Sequence, residues 1–382
     1  MKLEVYLIWK YALAMTDFGP SIKKTGFCLE HRATIILRKR GWSVINNRYY
    51  VDDQSGVVRE IDLVAYRACQ VGQLFVYTVL LISCKKSDQN AWALLSRPVH
   101  RTDPNVDRRP IHIWTNDDIT NWMLQNNNWK SSYFDLLMRE ETICSVIDSD
   151  QDVFAFQEVN KTNGTAQNDK AIFSSVTSLI KAQAYELGLL PNRKKDSSIY
   201  QFNLVSLLDG ELVRLEFASE DDEITEFDIL EELYFFDYIV NKHRTTARIH
   251  FVCESYFSDA LTVYEKISTL NVKFVKTLIE IFYQDVITNS SKRDVLQKTF
   301  DKRVRSTVLE MLPRHGVAPK EYVKTEIYPV NNGKKVCVHV ILKEGSSFEI
   351  DDSDTCRVVK LALQEIYHFS GSFKIEVDDI PF

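Results

Sequence analysis

The period of the apolar positions changes several times along the chain, and each change marks an element. Between residues 26 and 41 it is helical: Leu29, Ala33, Ile36 and Leu37 share one face, with Glu30 at its edge. This predicts a helix ending near Gly41. A carboxylate beside an apolar stripe needs a partner, because burying it unpaired is costly. In VVREIDLVAYR the period becomes two, with Ile61, Leu63 and Ala65 on one side and Glu60, Asp62 and Val64 on the other. VYTVLLISCKKS is nearly all apolar, as a strand buried on both faces is, and it closes with Ser83 and Lys85 on one face. Residues 30 to 85 therefore read as a helix, a hairpin and a third strand.

Beyond Lys85 the pattern predicts a short helix carrying Trp92, Leu94 and Leu95, capped by Ser87 or Asp88. A strand at RPIHIWTN follows, then a helical stretch interrupted at Asn126–Asn128. The polar segment 159–169 is read as a domain boundary. Residues 170–187 read as a helix. IYQFNLVSLLDGELVRLEF reads as a hairpin turning at Asp209-Gly210. ARIHFVCE is a buried strand, followed by a helix near 258–270. SEDDEITEFDILEE holds eight acidic residues and no basic one. It reads as a solvated loop leading into a helix, or as a decoy for a basic partner.

The order of elements in 170–270 repeats that of the first block. Glu216 follows Gly210 as Asp62 follows Gly56, and Cys253-Glu254 stands where Cys84-Lys85 would. This is either a degenerate copy without a metal site or two unrelated α/β pieces sharing a common order. The last ninety-odd residues form a small α+β pattern. One helix buries Leu296, Phe300, Val304, Val308 and Met311 and turns Lys298, Lys302 and Arg305 outward. Two strands joined at Asn331-Asn332-Gly333, a helix at 354–368 and a final strand complete it. The expected organisation is 1–158, 170–285 and 286–382.

The length of 382 residues exceeds one ordinary core, and 45% hydrophobic with 26% charged residues is a globular composition. At a net charge of -6, any nucleic acid would have to meet local basic patches, such as Lys298, Lys302 and Arg305. Seven scattered cysteines without a C-x-x-C argue against a disulfide framework and a structural zinc site, and fit a reducing cytoplasm. The opening MKLEVYLIWKYALAM is interrupted by Lys10 and reads as a packed helix or strand rather than a leader or a membrane span. No Walker A loop, G-x-S-x-G or H-E-x-x-H occurs, so ATP hydrolysis, acyl transfer and zinc chemistry are weak candidates.

Helical Glu30, REIDLV with Asp62, and SCK with Lys85 together resemble the PD-(D/E)XK nuclease superfamily, in its restriction-endonuclease-like and junction-resolvase-like branches. The resemblance covers roughly residues 18–115. It implies an α/β (α+β) fold, with a mixed sheet flanked by helices and a Mg²⁺- or Mn²⁺-dependent site. Asp62 and the backbone carbonyl of Cys84 would be the metal ligands, Lys85 the catalytic cation and Glu30 an accessory acid. Ser83 stands where the family has its second acid, and Glu60 is a substitute ligand. A hydroxyl brings no charge, although Mg²⁺ is commonly anchored by only one or two carboxylates. Two functions follow. One is endonucleolytic hydrolysis, DNA favoured, in restriction, defence or repair. The other is a catalytically inactive nuclease fold that binds nucleic acid or protein. A homodimer or an intrachain pseudo-dimer fits either.

Overall fold

The computed structural model describes residues 18–23, 25–102, 108–217, 223–344 and 347–378. The opening segment 1–15 and residues 218–222 of the acidic stretch lie outside the described residues. The chain divides into two compact units, 1–116 with 130–272, and 117–129 with 273–382. It is a mixed α/β protein, with one mixed sheet flanked by helices and a second, smaller sheet.

In the first unit a short helix α1 (Gly19–Lys23) leads into α2 (Phe27–Lys39). α2 buries Leu29, Ala33 and Leu37 and stops at Gly41, which takes φ +79°. The Trp42 N–H reaches the Leu37 carbonyl and the Gly41 N–H reaches that of Arg38, so the left-handed glycine closes the last turn. β1 (Ser43–Val51), β2 (Val58–Val71) and β3 (Leu74–Pro98) form an antiparallel meander. The β1–β2 turn is organised by buried Asp52, which accepts the N–H groups of Gln54 and Ser55 and pairs with Arg59 and Lys181. In β2, Ile61, Leu63 and Ala65 are all buried.

Next come β4 (His112–Thr115), α3 (Asp118–Asn126), α4 (Trp129–Leu137), α5 (Glu141–Ile147) and β5 (Gln151–Asn160), with α3 belonging to the second unit. The long helix α6 (Lys170–Arg193) then carries the chain to β6 (Ser198–Phe217), which runs parallel to β3. Parallel neighbours need such a crossover, and both strands are buried almost continuously. β7 (Ile224–Ile229) pairs with β6; β8 (Glu231–Val240) pairs with β9 (His243–Cys253), itself parallel to β6. The nine-stranded sheet has the order β1-β2-β3-β6-β9-β8, with β4 and β7 on β6 and β5 on β3. α7 (Phe257–Gln284) starts in this unit.

Four expectations are corrected here. Residues 87–95 are strand, not helix. Trp92 and Leu94, two apart, are both fully buried, because this half of β3 pairs with β5 on one side and β6 on the other. Asp209-Gly210 is not a hairpin turn but lies within β6. The β3–β6 register jumps from Lys86↔Asp209 to Ala91↔Glu211, so β3 bulges over this point. A Cβ on Gly210 would stand 2.9 Å from the Ser87 carbonyl oxygen, and that close approach accounts for the glycine. The acidic stretch from Ile224 onward forms β7 and β8, not a helix. Its Ile, Thr and Phe residues suit a strand, and the acids of β7, Glu226 and Asp228, sit on an exposed edge. Finally, segment 159–169 lies within one unit. Strands from both sides of it share one sheet, so 170–272 is not a compact unit of its own.

The second unit combines residues 117–129 and 273–382. α8 (Ser290–Met311) buries Leu296, Phe300, Val304, Val308 and Met311. β10 (Tyr322–Val330), β11 (Lys335–Leu342), β12 (Phe348–Ile350) and β13 (Ser372–Asp378) form a sheet of order β10-β11-β13-β12, joined by α9 (Ser353–Tyr367). The Asn331-Asn332-Gly333 turn has positive φ at all three residues. No described helix is long and apolar enough to cross a membrane.

Candidate active site

Three elements bring the site together. α2 carries Glu30 at the edge of its buried face, near enough to feel the charges of Asp62 and Lys85; β2 presents Asp62, and β3 presents Ser83, the Cys84 backbone and Lys85. Asp62 Oδ2 accepts the Cys84 N–H at 2.5 Å and lies 3.8 Å from Lys85 Nζ. The ammonium also faces the Cys84 carbonyl at 3.5 Å. One carboxylate oxygen of Asp62 is thus fixed by β3 itself. The other, Oδ1, and both Glu30 oxygens have no hydrogen bond among the described residues.

Charge at this point is unbalanced. Glu30 is pushed up to about 7, first by burial and then by the charges of Asp62 and Glu60, while Lys85 pulls it the other way. The Cys84 thiol is raised by burial and by Asp62 and Glu30, so it is not a nucleophile. Glu60 accepts a hydrogen bond from the Asn47 amide. Ser83 is 1% exposed, and its Oγ has no partner within the described residues.

The sequence reading missed a second layer. Arg32, two residues after Glu30 on α2, binds Asp209 of β6 at 2.9 Å through Nη2 and grips Glu254, just past β9, through Nε and Nη2. The sheet register explains the meeting: Lys86 pairs with Asp209, and Leu208 pairs with Cys253, so the end of β9 lies level with the middles of its parallel neighbours β6 and β3. The Glu254 charge also raises the Cys84 thiol. The signal was present in the Cys253-Glu254 pair, which was assigned to a separate lobe because the parallel register cannot be read from spacing.

A divalent cation can be tested against these residues. Among the described residues no three His, Cys, Asp or Glu side chains group to hold a metal ion. What remains are the unpartnered oxygens of Asp62 and Glu30, the Cys84 carbonyl and the orphaned Ser83 hydroxyl. That donor set fits one Mg²⁺ completed by water and a substrate phosphate, and no self-sufficient protein cage. Lys298, Lys302 and Arg305 belong to the second unit, on the exposed face of α8. Arg305 lies over the Tyr322 ring and 3.9 Å from Asp301. No protein-family model, curated protein or solved structure matches this chain.

Proposed function

We propose that the protein is a PD-(D/E)XK-type nuclease that hydrolyses phosphodiester bonds, DNA being the favoured substrate, with Mg²⁺ or Mn²⁺ as cofactor. The observation that carries this reading is the meeting of Asp62 and Lys85 at 3.8 Å beside half-buried Glu30. A cation, an acid and an aspartate that three different elements deliver to one point are the parts such hydrolysis needs.

Asp62, Glu30 and the Cys84 carbonyl would hold the metal, which when bound polarises a phosphate oxygen and activates water. The chain's own residues do the rest. The Cys84 N–H orients Asp62 and fixes which of its oxygens is free. Lys85 places a positive charge where negative charge develops on the phosphate in the transition state. Burial and the neighbouring acids push Glu30 up to about 7, and a cation held beside it would favour its charged, metal-binding form. Arg32 offsets one of the two negative charges of Asp209 and Glu254, which lessens their repulsion of an incoming phosphate. The outward cations of α8 supply sequence-independent backbone affinity. All seven cysteines are free, which supports a reducing compartment, the cytoplasm.

A second reading is favoured by Ser83 and by the engagement of Asp62 Oδ2. It takes the cluster as an inherited ion pair in an inactive nuclease fold that binds nucleic acid or protein. Plasmid nicking with Mg²⁺ and Mn²⁺ separates the two. The nuclease reading requires nicking by the wild type that Asp62→Ala abolishes while nucleic-acid affinity is kept. Wild-type nicking that survives in Asp62→Ala places the chemistry elsewhere. No nicking of DNA or RNA by the wild type leaves the binding reading.

A further inference from the structure

The first unit contains a half-open cavity of about 280 Å³ between the sheet and the C-terminal end of α6, and the candidate active site does not use it. Val64 and Val79 line its floor. They lie on the sheet face that carries Asp62 and Lys85; Val64 is two residues from Asp62, about 7 Å, and Val79 is six residues from Lys85, about 20 Å along the strand.

Two features of the lining point to a ligand. The first is aromatic. Tyr66, Tyr77 and Tyr200 come from three adjacent strands; Tyr77 and Tyr200 stack at 4.3 Å and 8°, and Tyr66 is 6.0 Å from Tyr77. The second is charge. Arg48, Arg193 and Lys194 line the cavity with a single carboxylate, Glu186. Glu186 accepts Arg48 Nε at 2.8 Å and Arg193 Nη2 at 2.9 Å, so one negative charge is shared by two guanidinium groups. Lys194 has no carboxylate partner among the described residues. Its ammonium sits over the Tyr77 and Tyr200 rings, 4.9 and 5.5 Å from their centroids. The lining therefore carries three cations against one anion, beside a row of flat rings.

We infer that this cavity binds a nucleoside monophosphate, independently of the proposed nuclease chemistry. A phosphate monoester carries about -1.5 to -2 charges near neutrality, matching the surplus of two positive charges. Base faces stack on tyrosine rings without needing a particular base. The volume is at the small end of ligand pockets, about 300–1,000 Å³, which favours one nucleotide over a dinucleotide. The phosphate draws the Lys194 ammonium off the rings, and the base takes its place.

The test is isothermal titration of the full chain with AMP, GMP, CMP and UMP, beside adenosine and inorganic phosphate. At least one monophosphate should saturate with a Kd below about 1 mM, with nucleoside and phosphate at least tenfold weaker. Lys194→Ala, which removes no ion pair, should weaken nucleotide binding about tenfold or more at an unchanged melting temperature. Tyr66→Leu should weaken it without restoring phosphate-only binding. The inference is overturned if no monophosphate binds in this range. Equal binding of inorganic phosphate, or nucleotide affinity unchanged in both variants, overturns it as well.

Discussion

Lys85 stands 3.8 Å from Asp62 although the two lie on different strands, and the Cys84 N–H between them in the chain is bound to the same Asp62 oxygen. β3 thus supplies both the cation and the group that orients the acid. Lys85→Ala should leave substrate affinity largely intact and lower the cleavage rate about 100-fold or more, because the lost charge is needed chiefly in the transition state. Single-turnover cleavage beside equilibrium binding checks this. An affinity loss matching the rate loss would make Lys85 a binding residue.

Ser83 tests the metal site by a different route. Its position is 1% exposed, so Ser83→Glu buries a carboxylate that only a cation can compensate. The variant should melt lower than wild type in chelator. It should then gain more from Mg²⁺ or Mn²⁺ than wild type does, since a ligand stabilises by mass action. Thermal melts with and without metal read this, and equal metal shifts in both proteins would speak against a metal at this point.

Gly210→Ala probes the bulge. The added methyl would meet the Ser87 carbonyl oxygen at 2.9 Å, and backbone cannot move aside as a side-chain tip does. A loss of about 1–3 kcal/mol in urea unfolding is expected, the usual cost of overpacking. A neutral substitution would mean that β3 does not cross Gly210 as described.

Asp52 governs the hairpin that delivers Asp62. Burial pushes its carboxyl up, but hydrogen bonds from Lys181, Ser55 and Gln54 outweigh that and hold it well below its usual 3.8. A carboxyl depressed by folding adds stability that is present above its unfolded value and lost as pH falls toward its folded one. Asp52→Ala should cost about 3 kcal/mol at neutral pH, because buried Lys181 loses its 2.8 Å partner and keeps only Asp53 at 3.9 Å. It should also flatten the fall in stability between about pH 5 and pH 3. Urea midpoints across that range check both, and a parallel fall in variant and wild type would contradict the assignment.

The parts of the fold legible in the sequence were those where one local period dominates. α2 shows its stripe and its glycine, β2 alternates from Glu60 to Leu63, and α8 carries five buried apolar residues at helical spacing. The second half of β3 was not legible. Its apolar residues face neighbours on both sides, and the Ser87–Asn90 bulge removes the alternation. Asp209-Gly210 misled because glycine serves a turn and a close backbone approach equally well, and only the pairing of β3 with β6 decides between them. The acids of β7 resembled a solvated helix start for a similar reason, since their strand exists only by pairing with β6. In the site, Glu30, Asp62 and Lys85 could be named from pattern. Arg32, Asp209 and Glu254 meet through parallel register across residues far apart in sequence, which spacing does not encode.

The central claim is that Asp62, beside Lys85, holds a divalent cation for phosphodiester hydrolysis. Anomalous diffraction from crystals soaked in Mn²⁺ tests it most directly. The account predicts a peak about 2.1 Å from Asp62 Oδ1, within reach of the Cys84 carbonyl and Glu30. It also predicts that the peak is absent in Asp62→Ala. Mn²⁺ bound elsewhere in the crystal, with Asp62 still held only by the Cys84 N–H and Lys85, would contradict it.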